Sequence, residues 1–176
     1  MRESNMRQSL VELLRPLDAY AVENACVPGM PDLECTGGWV ELKYIPSYPK
    51  RKYVTVVRVP HFMPIQRAWI RRRAKYGGRV FVILRVEDDW FVLPGAPSAN
   101  HLGVDWVRRD LINNSLYYTE GRLPSQEKLL AILSDRTIGH GIDSKPGHTE
   151  SDRVPETVED AWPLVVDSNL YRPQVS

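Results

Sequence analysis

Apolar residues at Met6, Leu10, Leu13, Leu14 and Leu17 fall three or four apart, which predicts a helix over residues 3–14, ended by Pro16. Glu3 lies on the same stripe as Met6 and Leu10. The period then changes. "DAYAVEN" (18–24) reads as a strand, "VPGMP" (27–31) as a turn, and "DLEC" and "WVELKYI" as two strands joined by "TGG" at 36–38. "PSYPKRK" (46–52) is a basic loop and "YVTVVRV" (53–59) a short strand. "MPIQRAWIRRRAKYGG" (63–78) predicts a second helix, with Pro64 near its start, Ile65, Ala68, Trp69 and Tyr76 on one stripe, and Gly77-Gly78 as its stop. "RVFVILRV" (79–86) is apolar enough for a buried strand, and "EDD" turns it into "WFVL" (90–93). "LPSQEKLLAIL" (123–133) predicts a helix capped by Ser125.

The core order is therefore helix, three strands, helix, two strands, a mixed α/β sandwich. Residues 1–95 form this core, and 96–133 an extension whose helix packs on it. Residues 134–176, rich in Gly, Pro, Ser and acids without a sustained period, read as an extended or disordered tail, in which "AWPLVV" (161–166) could dock.

Composition changes this picture little. The chain has 176 residues, 43% hydrophobic and 26% charged, the profile of a globular domain. No run of 18 apolar residues exists, so no membrane span is expected. Met-Arg-Glu-Ser-Asn-Met lacks the apolar core of a secretion signal, and Cys26 and Cys35 make neither a disulfide framework nor a metal-ligand spacing. A reducing cytoplasm with two free thiols is the expectation.

Charge changes it more. The formal net charge is +1, yet residues 40–85 hold twelve Lys or Arg against one acid, and residues 134–176 hold eight acids against four bases. A basic middle with an acidic tail suits a core that binds a polyanion. The tail could lie across the basic surface and compete with that polyanion.

The chemistry concentrates in one hairpin. Around "TGG", Asp32 comes level with Glu41 or its neighbour, and Glu41 and Lys43, two apart in a strand, share a face. Two carboxylates at one spot repel unless a divalent cation lies between them, and oxygen ligands with retained waters suit Mg²⁺. A lysine beside them can orient or deprotonate water or stabilise charge on a phosphorane-like transition state. Asp, then Glu-x-Lys, is a minimal set for metal-assisted phosphodiester hydrolysis.

Pro31-Asp32 followed by Glu41-Leu42-Lys43 across a hairpin resembles the PD-(D/E)xK nuclease superfamily. The wider stretch "ENACVPGMPDL…GWVELKY", then "MPIQRAWIRRRAKYGGRVFVILRV", is similar to its VRR-NUC and Holliday-junction-resolvase-like branch, particularly small phage-type members. The similarity covers residues 1–95. It implies a restriction-endonuclease-like mixed β-sheet flanked by helices, with an αβββαβ core. It also implies a Mg²⁺-dependent endonuclease, with Mn²⁺ as a substitute, that cuts DNA to a 3′-hydroxyl and a 5′-phosphate. Branched, junction-like DNA as substrate and a homodimer as the working form follow from the same resemblance, as does the host-cell cytoplasm if the chain is phage-encoded.

Residue by residue, the resemblance makes Asp32 and Glu41 metal ligands together with the Leu42 carbonyl. Lys43 would contact the attacking water or the scissile phosphate. A glutamate of the first helix would join the metal, with Glu3 the best match and Glu12 and Glu23 its competitors. Gln66 matches a glutamine that positions lysine or phosphate.

Plainer readings exist for each residue. Asp32 after proline is a common turn aspartate, and Glu41 with Lys43 could be a solvent-facing ion pair. Gln66 could be an exposed helix residue. Arg67, Arg71, Arg72, Arg73 and Lys75 could form a wet helix face. However, five bases with no acid among them repel one another, and a phosphate backbone relieves that. Lys50, Arg51 and Lys52 fit the same DNA-binding surface. Trp39, Trp69 and Trp90 read as core, and the four histidines show no ligand spacing. Two alternatives to an enzyme stand beside this reading: a non-catalytic nucleic-acid-binding module, and an interaction protein that works through its acidic tail.

Overall fold

Met6, Leu10 and Leu14 are buried along and just beyond helix α1 (Glu3–Leu13), as their spacing predicts. A 3₁₀ turn at Arg15–Leu17 ends it around Pro16, and Asp18 (φ +54°) redirects the chain. The computed structural model describes residues 3–22 and 27–138. Within them the chain continues through β1 (Tyr20–Ala21), β2 (Leu33–Cys35), β3 (Gly38–Ile45), α2 (Pro64–Lys75), β4 (Val80–Val86) and β5 (Asp89–Pro94). Two short helices follow, α3 (Gly95–His101) and α4 (Arg108–Asn113), then β6 (Tyr117–Glu120) and α5 (Gln126–Ser134).

The six strands form one sheet in chain order, β1 to β6. Every neighbouring pair is antiparallel except β3 and β4, which run parallel because α2 carries the chain back between them. The centre of the sheet is covered on both sides. Leu33, Cys35, Val40, Leu42, Phe81 and Ile83 face Met6 and Leu10 of α1, Leu14 just after it, and Leu129 and Leu133 of α5. Val80, Val82, Leu84 and Phe91 face Trp69 and Ile70 of α2, Ala99 of α3 and Leu111 of α4. Alternation along each strand deals its side chains to the two faces. β4, covered on both, is therefore apolar at nearly every position. Each fully buried Leu, Ile or Phe contributes about 1.5–3 kcal/mol.

Several expectations are corrected. The strand expected over 18–24 reduces to Tyr20–Ala21, and residues 23 and 24 lie outside the described residues. Residues 53–59 form no strand. Both sides of β3 are taken by β2 and β4, so the segment cannot pair beside the strand it follows. Instead Val57 and Val59 drop singly into the core, Tyr53 and Val54 stay exposed, and the Val57 N–H bonds to the Trp106 carbonyl at 3.0 Å. The α2 stripe is displaced as well. Trp69, Ile70 and Ala74 are buried, whereas Ile65 and Tyr76 are half exposed or more and Ala68 faces solvent. Arg67 fixes that rotation by donating to carbonyls of α3 and the residues after it (below). Helices α3 and α4 and strand β6 were not foreseen. β6 extends the sheet, so part of 96–133 belongs to the sheet itself. Ser125 caps α5 as expected, accepting from the Lys128 N–H at 3.3 Å. Cys35 is a buried free thiol whose pKa burial pushes up. Cys26 and the acidic tail from residue 139 onward lie outside the described residues.

Candidate active site

The β2–β3 hairpin ends its ladder in an unusual way. Leu33 pairs with Val40, so Asp32 is the next residue out and stands against Glu41. The Asp32 carbonyl turns outward to accept from the Val22 N–H at 2.8 Å. Its side chain then takes the place of a main-chain acceptor: Oδ2 accepts from the Leu42 N–H at 2.9 Å. A strand residue points its N–H and C=O to the same side, so the Leu42 carbonyl opens where the Asp32 carboxylate stands. Asp32 Oδ1 is held by Arg7 Nη2 of α1 at 2.7 Å.

On the α2 face of β3, the Glu41 carboxylate is completely buried and Lys43 is 4% exposed. Glu41 Oε1 accepts from Lys43 Nζ at 2.5 Å and from Gln66 Nε2 at 2.6 Å. Gln66 is aimed by its other end, since its Oε1 accepts from the Met63 N–H at 2.9 Å and caps the start of α2. The Phe62 ring covers Lys43, with Nζ 5.7 Å from its centroid. Solvent-face readings of Glu41, Lys43 and Gln66 are excluded by this burial and bonding.

The turn before Asp32 is seated against the same helix. Gly29 has φ +84°, and a Cβ there would lie 2.7 Å from the Ile65 carbonyl oxygen. Glycine lets "VPGMP" lie against the first turn of α2, above the residue that aims at Glu41.

Such a cluster is a poor device for stability. Burying an ion pair costs several kcal/mol per charge, and apolar residues of similar volume do as well or better. A charged pair buried between β3 and α2 is therefore not accounted for by stability alone.

The other expected residues fall in different places. Glu3 opens α1, but its side chain lies outside the described residues, as does all of Glu23. Glu12 is 71% exposed and paired with Arg15 at 3.2 Å, so it takes no part in the site. Arg67 is not presented to a ligand. Its guanidinium donates to the carbonyls of Phe62, Ala99 and Leu102 at 3.1, 3.2 and 2.6 Å, and Arg71 adds a bond to Ala99 at 3.1 Å. Desolvation, with Arg71 beside it, lowers the Arg67 pKa. Arg72, Arg73 and Lys75 reach the surface, Arg73 over the Trp39 ring at 5.9 Å. Lys50 and Arg51 are exposed in the loop after β3, and Lys52 lies over the rings of Tyr48 and Tyr53 at 5.8 and 5.4 Å.

Two features escaped the sequence reading. Arg7 is one; its signal is its place beside Met6 on the inward stripe. The other is a buried network at the end of the sheet. Asp89 Oδ2 accepts from Tyr48 Oη at 2.6 Å and Arg108 Nε at 2.8 Å, and Oδ1 accepts from Tyr118 Oη at 2.9 Å. Burial pushes the Asp89 carboxyl up, but these three donors outweigh it and hold it below the usual range. Burial first, then Asp89, pushes Tyr118 up to about 12 and Tyr48 higher still. Residues 48, 89, 108 and 118 are too far apart in the chain for any local pattern to link them.

Asp32, Glu41 and the Leu42 carbonyl offer oxygen donors alone, which fits Mg²⁺, an ion that commonly takes one or two carboxylates plus waters and phosphate oxygens. Among the described residues no group of three or more His, Cys, Asp or Glu could hold a metal ion. Here each acid meets a protein cation, Asp32 with Arg7 and Glu41 with Lys43. Comparison of the chain with protein-family models, curated proteins and solved structures finds no match.

Proposed function

We propose that this chain is a Mg²⁺-dependent DNA endonuclease with a restriction-endonuclease-like core. The observation that carries the reading is the buried Glu41–Lys43–Gln66 cluster, with Asp32 across the hairpin. Asp32, Glu41 and the Leu42 carbonyl would hold the ion, which supplies Lewis-acid activation of water and of the phosphate. The chain's own residues do the rest. Gln66 fixes the Glu41 carboxylate, and Glu41 in turn fixes the Lys43 ammonium. Lys43 would donate to the charge that gathers on the phosphate oxygens during attack. The basic residues 50–52 and the exposed cations of α2 would carry the flanking backbone.

A second reading, a DNA-binding module without chemistry, is favoured by one observation: both acids are already neutralised by protein cations. Asp32→Asn separates the two. Asparagine keeps an oxygen for the Leu42 N–H but removes the charge. The endonuclease reading predicts at least a hundredfold loss of Mg²⁺-dependent cleavage with DNA affinity retained. A wild-type protein that binds DNA and cuts none of it in Mg²⁺ or Mn²⁺ sustains the module instead.

A further inference from the structure

Beyond Lys43, β3 runs directly into an open groove of about 630 Å³, within the range of small-ligand sites. Its walls are mostly apolar and include Ile45, Pro46, Tyr48, Pro49, Val56 and Pro60. Among the described residues Arg58 is its one lining cation, and the segment 45–60 that forms most of the groove also contains Lys50, Arg51 and Lys52 and no acid. Val54, which lines the groove, is 70% exposed, and Tyr53, next to it in the chain, is 62% exposed; both are large apolar groups that folding leaves in water. The Tyr53 ring is backed by cations, Lys52 Nζ at 5.4 Å and Arg108 Cζ at 6.0 Å from its centroid.

The groove is held in shape from beneath. Tyr48 and Arg108 are bound to Asp89, Tyr48 N–H donates to Glu87 Oε1 at 2.7 Å, and the Val57 N–H is bound to Trp106. The Lys52 carbonyl accepts from the Arg108 N–H at 3.3 Å. A concave, mostly apolar surface within a basic segment matches a flat apolar heterocycle joined to an anionic chain. Lys43 and Ile45 share a face of β3 and lie about 7 Å apart, comparable to one nucleotide of a stretched strand.

We infer that this groove takes one unpaired nucleobase of the DNA, next to the phosphate held at Lys43, with the exposed Tyr53, beside the lining residue Val54, stacking on it. The inference rests on the nuclease reading and adds a substrate class to it: DNA with a base free beside the cut, as in flaps, gaps and open junctions. A paired base within a duplex cannot enter.

The test is binding in EDTA, where no cleavage intervenes, of a flapped duplex carrying 2-aminopurine in the flap and of a matched linear duplex. Wild type, Tyr53→Ala, Ser47→Leu (which fills the groove) and Lys50→Ala/Arg51→Ala are compared. The expected result is tighter binding of the flap with a change in 2-aminopurine fluorescence. Tyr53→Ala and Ser47→Leu should each reduce that preference about tenfold while leaving duplex affinity unchanged. The Lys50/Arg51 variant should weaken both DNAs alike and flatten the salt dependence. Flap and duplex bound equally, or a preference untouched by Tyr53→Ala and Ser47→Leu, overturns the groove and leaves the nuclease reading standing. No binding of either DNA overturns both. Polyglutamate bound as tightly as the flap, with the same dependence on Tyr53, overturns it in favour of an acidic protein partner.

Discussion

At the scale of single residues, the decisive arrangement is two charges placed where an apolar pair would serve the fold equally well. Glu41→Gln leaves the Lys43 ammonium buried without its counter-charge, which is expected to cost about 3–5 kcal/mol. The double variant Glu41→Met/Lys43→Met removes both charges and should match or exceed wild-type stability while losing all cleavage. Urea unfolding of the two variants checks this. A double variant as unstable as the single one would mean the pair is structural. The pair was legible in sequence because the Asp just before β2 and the Glu-x-Lys on β3 flank a short turn, where spacing translates directly into register. The charge state around Asp32 was not legible, since Arg7 arrives from another element 25 residues away. Nor could spacing show that Gln66, beside an exposed Ile65, would turn inward. That depends on how α2 rotates, and α2 is positioned by Arg67 on the carbonyls of Phe62, Ala99 and Leu102.

At the scale of elements, the site depends on how the turn over residues 27–31 meets the first turn of α2. Gly29→Ala sets a methyl against the Ile65 carbonyl in a left-handed conformation, and should cost about 1–3 kcal/mol. Because Ile65 precedes Gln66, the same change should lower cleavage more than it lowers DNA affinity. A thermal melt and a cleavage assay read the two effects. An unshifted melting temperature would show that the turn is free to move off the helix. The strands β2 to β5 and helices α1, α2 and α5 were legible because period, caps and breakers agree within each. The segment 53–59 misled because its alternation of β-branched residues is that of a strand, yet both sides of β3, the strand it follows, are already paired. The short α3 and α4 were invisible because their few turns bury small residues such as Ala99 and single ones such as Leu111, leaving no period to detect.

At the scale of the whole molecule, the Asp89 network joins the basic loop after β3 to β5, β6 and α4, and its titration should be visible in stability. Tyr48 and Tyr118 keep their protons in the fold at pH values where the unfolded chain, with tyrosines near 10.0, releases them. Both contributions are therefore complete below about pH 10; that of Tyr118 is lost as pH rises from there through about 12, and that of Tyr48 persists to higher pH. Asp89 has the opposite sign, its contribution being present above 3.8 and lost as pH falls through its lowered value. Chemical denaturation at pH 8 and 11 should show a loss in wild type that is smaller in Tyr118→Phe. Equal losses would mean that Tyr118 does not retain its proton in the fold. Asp89→Asn, by leaving Arg108 without its charge partner, should loosen the loop and weaken DNA binding without altering the Glu41–Lys43 cluster.

The account stands on catalysis at that cluster. The direct measurement is cleavage of labelled four-way junction and matched linear duplex, in Mg²⁺ and in EDTA, by wild type and Lys43→Ala. The account predicts Mg²⁺-dependent cutting by wild type, absent in EDTA and reduced at least a hundredfold by Lys43→Ala, with DNA still bound. Binding with no cutting by wild type, or cutting that survives the loss of Lys43, would contradict it.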